Sequence, residues 1–136
     1  MSSINFLNGN WFDFVSQIQE TSNEPIMIRK KYVFFYLCAN WSMQCRKMET
    51  ETLSDRLLGD FFNANFINIR VYMGNLSDSD TLQKLKSALN VEVETYPLTL
   101  FLNHQGKVVH QVTGDFSPNG LISEAKIALS LKFNWI

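Results

Sequence analysis

The stretch Tyr32-Val33-Phe34-Phe35-Tyr36-Leu37-Cys38-Ala39-Asn40-Trp41-Ser42-Met43-Gln44-Cys45 decides how the rest of this chain is read. Its first half is an unbroken apolar run rich in aromatics; a short turn and a helical pattern follow. Such a run predicts a central strand, buried on both faces, that feeds a helix N-terminus. Chemistry on that scaffold sits at the turn. Ser42 is placed to cap the helix, its hydroxyl accepting from the amide of Gln44 or Cys45, donors that a first helical turn leaves without partners. Beyond it Cys45, Met48 and Thr52 share one side of the helix, while Arg46, Lys47, Glu49 and Glu51 are expected to face water.

Working outward, Asn8-Gly9-Asn10 reads as a turn, and Trp11, Phe12, Phe14, Val15 and Ile18 fall at helical spacing up to Glu20. Thr21-Ser22-Asn23-Glu24-Pro25 should break that helix, since proline and the residue before it both resist continuing one. Ile26 to Lys31 is a mixed stretch leading to the strand. On the other side Leu53-Ser54-Asp55 reads as a break, with Ser54 or Asp55 capping a second helical piece that carries Leu57, Leu58, Phe61 and Phe62. Phe66 to Tyr72 alternates and is β-branched, which predicts a second strand. A polar loop from Met73 to Asp80 follows, and Asp78 or Asp80 starts a helix with Leu82, Leu85 and Leu89. Thr95-Tyr96-Pro97 leads directly into Leu98-Thr99-Leu100-Phe101-Leu102, a strand whose first ladder donor can be spared for the proline. Asn103-His104-Gln105-Gly106 makes a hairpin turn, and Lys107 to Thr113 returns as the partner strand. Ser117 as cap and Pro118 at the first helical position open a last helix with Leu121, Ile122, Ala125, Ala128 and Leu129.

Composition narrows the function classes. A chain of 136 residues, 46% apolar and 18% charged, is ample for one core and too short for two. We therefore expect a single domain over 1–136. A net charge of -1 without a basic stripe supplies no electrostatic footprint for nucleic acid. No apolar run approaches the roughly 18 to 20 residues of a membrane-spanning helix. Met1 to Leu7 has neither a basic region nor a long apolar one, so no signal peptide is expected; that points to the cytoplasm, or to the periplasm if a leader has been removed. Cys38 and Cys45 are too few for a disulfide framework or a cysteine-rich zinc site, and no metal or cofactor is implied.

The order helix, strand, helix, strand, helix, strand, strand, helix, together with Ala39-Asn40-Trp41-Ser42-Met43-Gln44-Cys45, resembles the thioredoxin superfamily, whose active site reads A-x-W-C-x-x-C. Cys45-Arg46-Lys47-Met48-Glu49-Thr50-Glu51-Thr52-Leu53 is similar to the C-K-x-M-E-x-x-T-F signature of its thiol–disulfide interchange subgroup. Asn63-Ala64-Asn65-Phe66-Ile67-Asn68-Ile69 is similar to that subgroup's N-x-x-F-V-x-V, and Thr95-Tyr96-Pro97 with the strand after it to G-Y-P-T-x-x-F-L. The resemblance implies an α/β thioredoxin fold, a central mixed β-sheet flanked by helices, and a cis-proline, Pro97, before the third strand and beside the active-site turn. It also implies that Trp41, Met43, Tyr96 and Pro97 converge on one patch that pairs with an extended peptide.

Against that pattern, Ser42 stands where the nucleophilic cysteine would be. Thiol–disulfide exchange needs thiolate attack on sulfur and a second thiol to resolve it, and a serine hydroxyl forms no mixed disulfide. Nothing around Ser42 resembles a hydrolase nucleophile elbow either. Cys45 takes the resolving position, and two readings of it stand: a small buried apolar side chain, or a lone thiol that forms mixed disulfides or senses oxidants. Cys38, at the strand end, reads as core. A Cys38–Cys45 bridge requires Cα atoms within roughly 7 Å, which a strand end and a helix position make doubtful. Tyr36 occupies the position where many thioredoxins keep a buried acid, and Tyr72 departs from the subgroup's V-D strand ending. His104 and His110 read as solvated surface, Glu49 and Glu51 as a wet helix face. The expected function is a degenerate S-x-x-C thioredoxin-like protein that binds an extended peptide or protein partner without dithiol turnover. A monothiol redox protein using Cys45 and a noncatalytic adaptor are the alternatives.

Overall fold

All eight side chains of Tyr32–Ala39, strand β1, are buried, because this strand lies inside a sheet covered on both faces. The computed structural model describes residues 2–20, 31–74 and 79–131. The expected break at 21–25, the stretch 26–30 and the candidate helix start at Asp78 lie outside them. Helix α1 (Trp11–Glu20) precedes β1; after it come α2 (Met43–Lys47), α3 (Arg56–Asn65), β2 (Phe66–Met73), α4 (Ser79–Leu89), β3 (Leu98–Leu102), β4 (Val108–Thr113) and α5 (Pro118–Ser130).

The sheet order is β2-β1-β3-β4. β1 runs parallel to β2 and antiparallel to β3, and β3 pairs antiparallel with β4, so the sheet is mixed. Alternation along β1 divides the core. Phe34, Tyr36 and Cys38 face a layer with Cys45, Phe62, Phe101, Leu121, Ala125 and Ala128. Val33, Phe35 and Leu37 face the other layer, with Val15 and Ile18 of α1 and Leu85 and Leu89 of α4. The registers set the site: Tyr36 lies opposite Arg70 on one side and Thr99 on the other, and Cys38 lies opposite Tyr72.

Two elements depart from expectation. The helix opened by Ser42 is not uniform: after Lys47 it widens over Met48–Thr52, where the Leu53 amide reaches back five residues to the Met48 carbonyl at 2.9 Å. The wide turn presents the Thr52 hydroxyl to the Phe116 carbonyl, and the Met48 sulfur accepts from the Phe116 amide at 3.3 Å, tying the turn to the loop before α5. His110 is not solvated surface; it stacks on Phe101 and meets Glu124 at 2.7 Å. The Tyr96–Pro97 peptide bond is cis. Among the described residues no helix is long and apolar enough to cross a membrane.

Candidate functional site

The turn after β1 is closed by backbone geometry. The Ser42 amide donates to the Ala39 carbonyl at 3.1 Å, and the Ser42 hydroxyl accepts from the Cys45 amide at 3.1 Å. Ser42 is thus a cap whose oxygen is committed to the helix. Trp41 and Met43 flank it at the surface, 40% and 77% exposed. The Trp41 ring meets Tyr96 edge to face at 5.6 Å, which brings the turn against the segment holding the cis Tyr96–Pro97 bond. Pro97 itself is buried.

One turn into the helix, Cys45 is 2% exposed, yet its surroundings are not those of an inert core thiol. Its sulfur accepts from the Ala39 amide at 3.2 Å. A hydrogen bond from the Cys38 thiol lowers the Cys45 pKa most; burial opposes this, and the Ala39 amide and the Ser42 hydroxyl assist. Cys38 moves the other way, its proton held first by Cys45 and then by burial. The negative charge belongs on Cys45, because an amide N–H faces that sulfur while Cys38 faces a carboxylate, Oε2 of Glu49, at 3.8 Å. The turn folds α2 back over the end of β1, so the two cysteines share one buried core layer. Both are free thiols.

Glu49 corrects the sequence reading as well. It is half-buried, its Oε1 3.0 Å from the Arg70 guanidinium, while its Oε2 accepts from the Tyr72 hydroxyl at 3.0 Å. Arg70 also lies over the Phe6 ring, 4.3 Å from its centre. Only Glu51 of the two glutamates is a wet-face residue. The signal for this network was present in part: Glu49 follows Cys45 by four residues and shares its helix face. What placed Arg70 and Tyr72 beneath it is the parallel register of β1 and β2. Tyr36 and Thr99, cross-strand neighbours, are both buried, and their hydroxyls have no hydrogen-bond partner among the described residues. Burial pushes the Tyr36 phenol further above its ordinary pKa.

The strand, capped turn, covered cysteine and neighbouring cis peptide bond occur in the order 39, 42, 45 and 97. Residues 9–128 match the family model described as Thioredox_DsbH, a protein of unknown function, DUF255. The chain belongs to this DsbH-like thioredoxin family. Solved structures agree with the fold. A candidate disulphide-isomerase from Bacteroides thetaiotaomicron superposes with a TM-score of 0.66 at 22% identity, covering 94% of each chain. A DsbH oxidoreductase gives 0.65 at 16% identity, covering 96% of this chain and 88% of its own. A thioredoxin from Thermus thermophilus gives 0.66 at 15% identity, with 95% and 89% covered. No curated protein matches the sequence. The DsbH-like chain thus has the α/β thioredoxin fold, and it carries two cysteines of its own.

Of the anticipated site residues, Trp41 and Tyr96 are in ring contact, Pro97 follows at once in the chain, and Met43 stands exposed at the start of α2. Ser42 lies between surface and core, and Cys45 lies below it. Sequence reasoning placed Tyr36 at the buried-acid position and missed Glu49, Arg70 and Tyr72 as neighbours of the thiols.

Proposed function

We propose that this DsbH-like chain is a thioredoxin-like module with a degenerate S-x-x-C site, which binds an extended segment of a partner protein across Trp41, Met43, Tyr96 and Pro97 without dithiol turnover between positions 42 and 45. The observation that carries this reading is the contrast at the turn: Trp41 and Met43 are exposed while Cys45, 2% exposed, offers no sulfur at the surface. An aromatic pair beside a flexible methionine gives large adaptable contact area, and a strand-like ligand adds backbone hydrogen bonds. The C-x-x-C-K-x-M-E type signature, with Ser42 at its first position, supports the same reading.

The test uses S-carboxymethylated insulin B chain, an extended polypeptide without free thiols. Amide NMR shifts should move at Trp41, Met43, Thr95 and Tyr96, with reductant present or absent, and a Trp41→Ala, Met43→Ala double variant should bind about tenfold more weakly. Shifts scattered over the surface, or none, sink the proposal.

A second reading has its own observation, the Ala39 amide 3.2 Å from the Cys45 sulfur, which favours a thiolate there. Cys45 would then act as a single thiol toward a small disulfide. A glutathione adduct on Cys45 of the native protein, seen by mass after exposure to oxidised glutathione, supports that reading; an unmodified Cys45 removes it.

A further inference from the structure

Beneath the turn, the chain assembles a thiol pair that the S-x-x-C motif does not describe. Cys38 and Cys45 are buried in one core layer, 0% and 2% exposed, with the Cys45 sulfur 3.2 Å from the Ala39 amide that follows Cys38 and the Cys38 sulfur 3.8 Å from the carboxylate of Glu49, four residues beyond Cys45. A second observation is independent of the cysteines. Tyr36 is 0% exposed, its hydroxyl is without a hydrogen-bond partner among the described residues, and its side chain lies in the core layer that holds both cysteines. Burying a hydroxyl without a partner costs free energy, and this one is a donor in the layer that holds both sulfurs. Thr99, opposite Tyr36 in register, repeats the feature.

We propose that Cys38 and Cys45 form a peroxide-reactive pair that closes to an intramolecular disulfide, with Cys45 as the attacking sulfur, Cys38 as the resolving one and Tyr36 as the donor to the oxygen left on Cys45. Burial selects the oxidant class. A protein disulfide cannot reach a sulfur at this depth in line with its S–S bond, whereas hydrogen peroxide is close to water in size. In the first step the Cys45 thiolate attacks one peroxide oxygen, the O–O bond breaks and hydroxide leaves, giving a sulfenic acid on Cys45. Hydroxide takes the Cys38 proton and becomes water. The Cys38 thiolate then attacks the Cys45 sulfur, the S–O bond breaks, and the departing hydroxide is protonated by solvent. Two thiols lose two electrons, one peroxide is reduced to two waters, and a dithiol reductant such as dithiothreitol reopens the bond. This pair works below the surface patch, so its chemistry and the peptide reading stand or fall separately.

The experiment exposes the reduced full chain to hydrogen peroxide, alkylates remaining thiols and digests with trypsin. Lys31 and Arg46 bracket a single peptide, 32–46, that carries both cysteines, so a closed pair appears as loss of two hydrogens from that peptide and of both alkylation sites. Dithiothreitol should restore both. Cys38→Ala should instead leave a sulfenic acid on Cys45 that dimedone captures. Tyr36→Phe removes only the unpartnered hydroxyl, so it should fold at least as well and react about tenfold more slowly. Two free thiols after peroxide treatment of the native protein overturn the proposal, as does a disulfide that forms equally fast in urea or with Phe at position 36.

Discussion

Cys45 ionises more readily in the folded chain than in the unfolded one, and Cys38 less readily, because one proton is held between two sulfurs under an amide and beside a carboxylate. The consequence for stability follows from linkage. A lowered folded pKa at Cys45 means that its contribution is complete above the ordinary thiol value of about 8.5 and is lost as pH falls through the lower folded value. The raised pKa of Cys38 acts in the opposite sense, stabilising below the ordinary value and withdrawing as pH climbs beyond it. The groups facing this pair are Tyr36, Ser42, Glu49, Arg70 and Tyr72, and the first neighbour of Cys45 remains the Cys38 thiol. Urea unfolding from pH 6 to 8.5 should therefore show stability rising with pH, by at most about 1.4 kcal/mol per unit, the limit for one proton. In Cys45→Ser the rise should be absent. A flat profile in the parent chain would mean that both thiols stay protonated in the fold.

At the scale of elements, α2 and its wide turn show how capping and chemistry are separated. Ser42 satisfies the Cys45 amide, a helix role that serine performs well. Ser42→Cys places a thiol at that N-terminus and creates a Cys-Met-Gln-Cys segment, where the helix dipole favours a thiolate. The variant should reduce insulin disulfides in the presence of dithiothreitol well above background, and the parent chain should not. Equal rates would mean that Ser42 does not limit disulfide exchange by the parent chain. Helix α3 makes a different point. Gly59 sits within it where a Cβ would lie 2.4 Å from the Ser3 Cβ and 2.7 Å from the Ser3 carbonyl oxygen. The N-terminal segment crosses here, held by the Ser3 amide on the Leu53 carbonyl at 2.8 Å. Gly59→Ala should gain about 1 kcal/mol of helix propensity and still lower the melting temperature, since backbone must move to admit the methyl group. Calorimetry reads the sign directly.

At the scale of the molecule, the two core layers meet across β1, and Phe62 anchors one of them, its ring 4.6 Å from Phe34 and 5.2 Å from Phe66. Phe62→Ala should cost about 3 to 5 kcal/mol in urea unfolding, as expected for a large ring removed from a packed interior. A loss under 1 kcal/mol would mean that this layer collapses to fill the space. Most of the architecture was legible in the sequence: the apolar run of β1, the alternation of β2, the caps at Ser42, at Ser54 or Asp55, of which the structure uses Asp55, and at Ser117, and the Tyr96-Pro97 entry to β3 are local patterns with local causes. Helix periodicity, strand alternation and capping act over a few residues, so the order of elements and the position of the turn can be read from the chain alone. Register, docking and burial depend on residues far apart. Glu49 leaves water because β2 lies parallel to β1 with Arg70 opposite Tyr36, and Cys45 meets Cys38 because the turn lays α2 over the strand end. Those contacts join elements separated by loops, and only packing of the whole core selects them, so the tertiary structure alone decided which side chains surround the thiols.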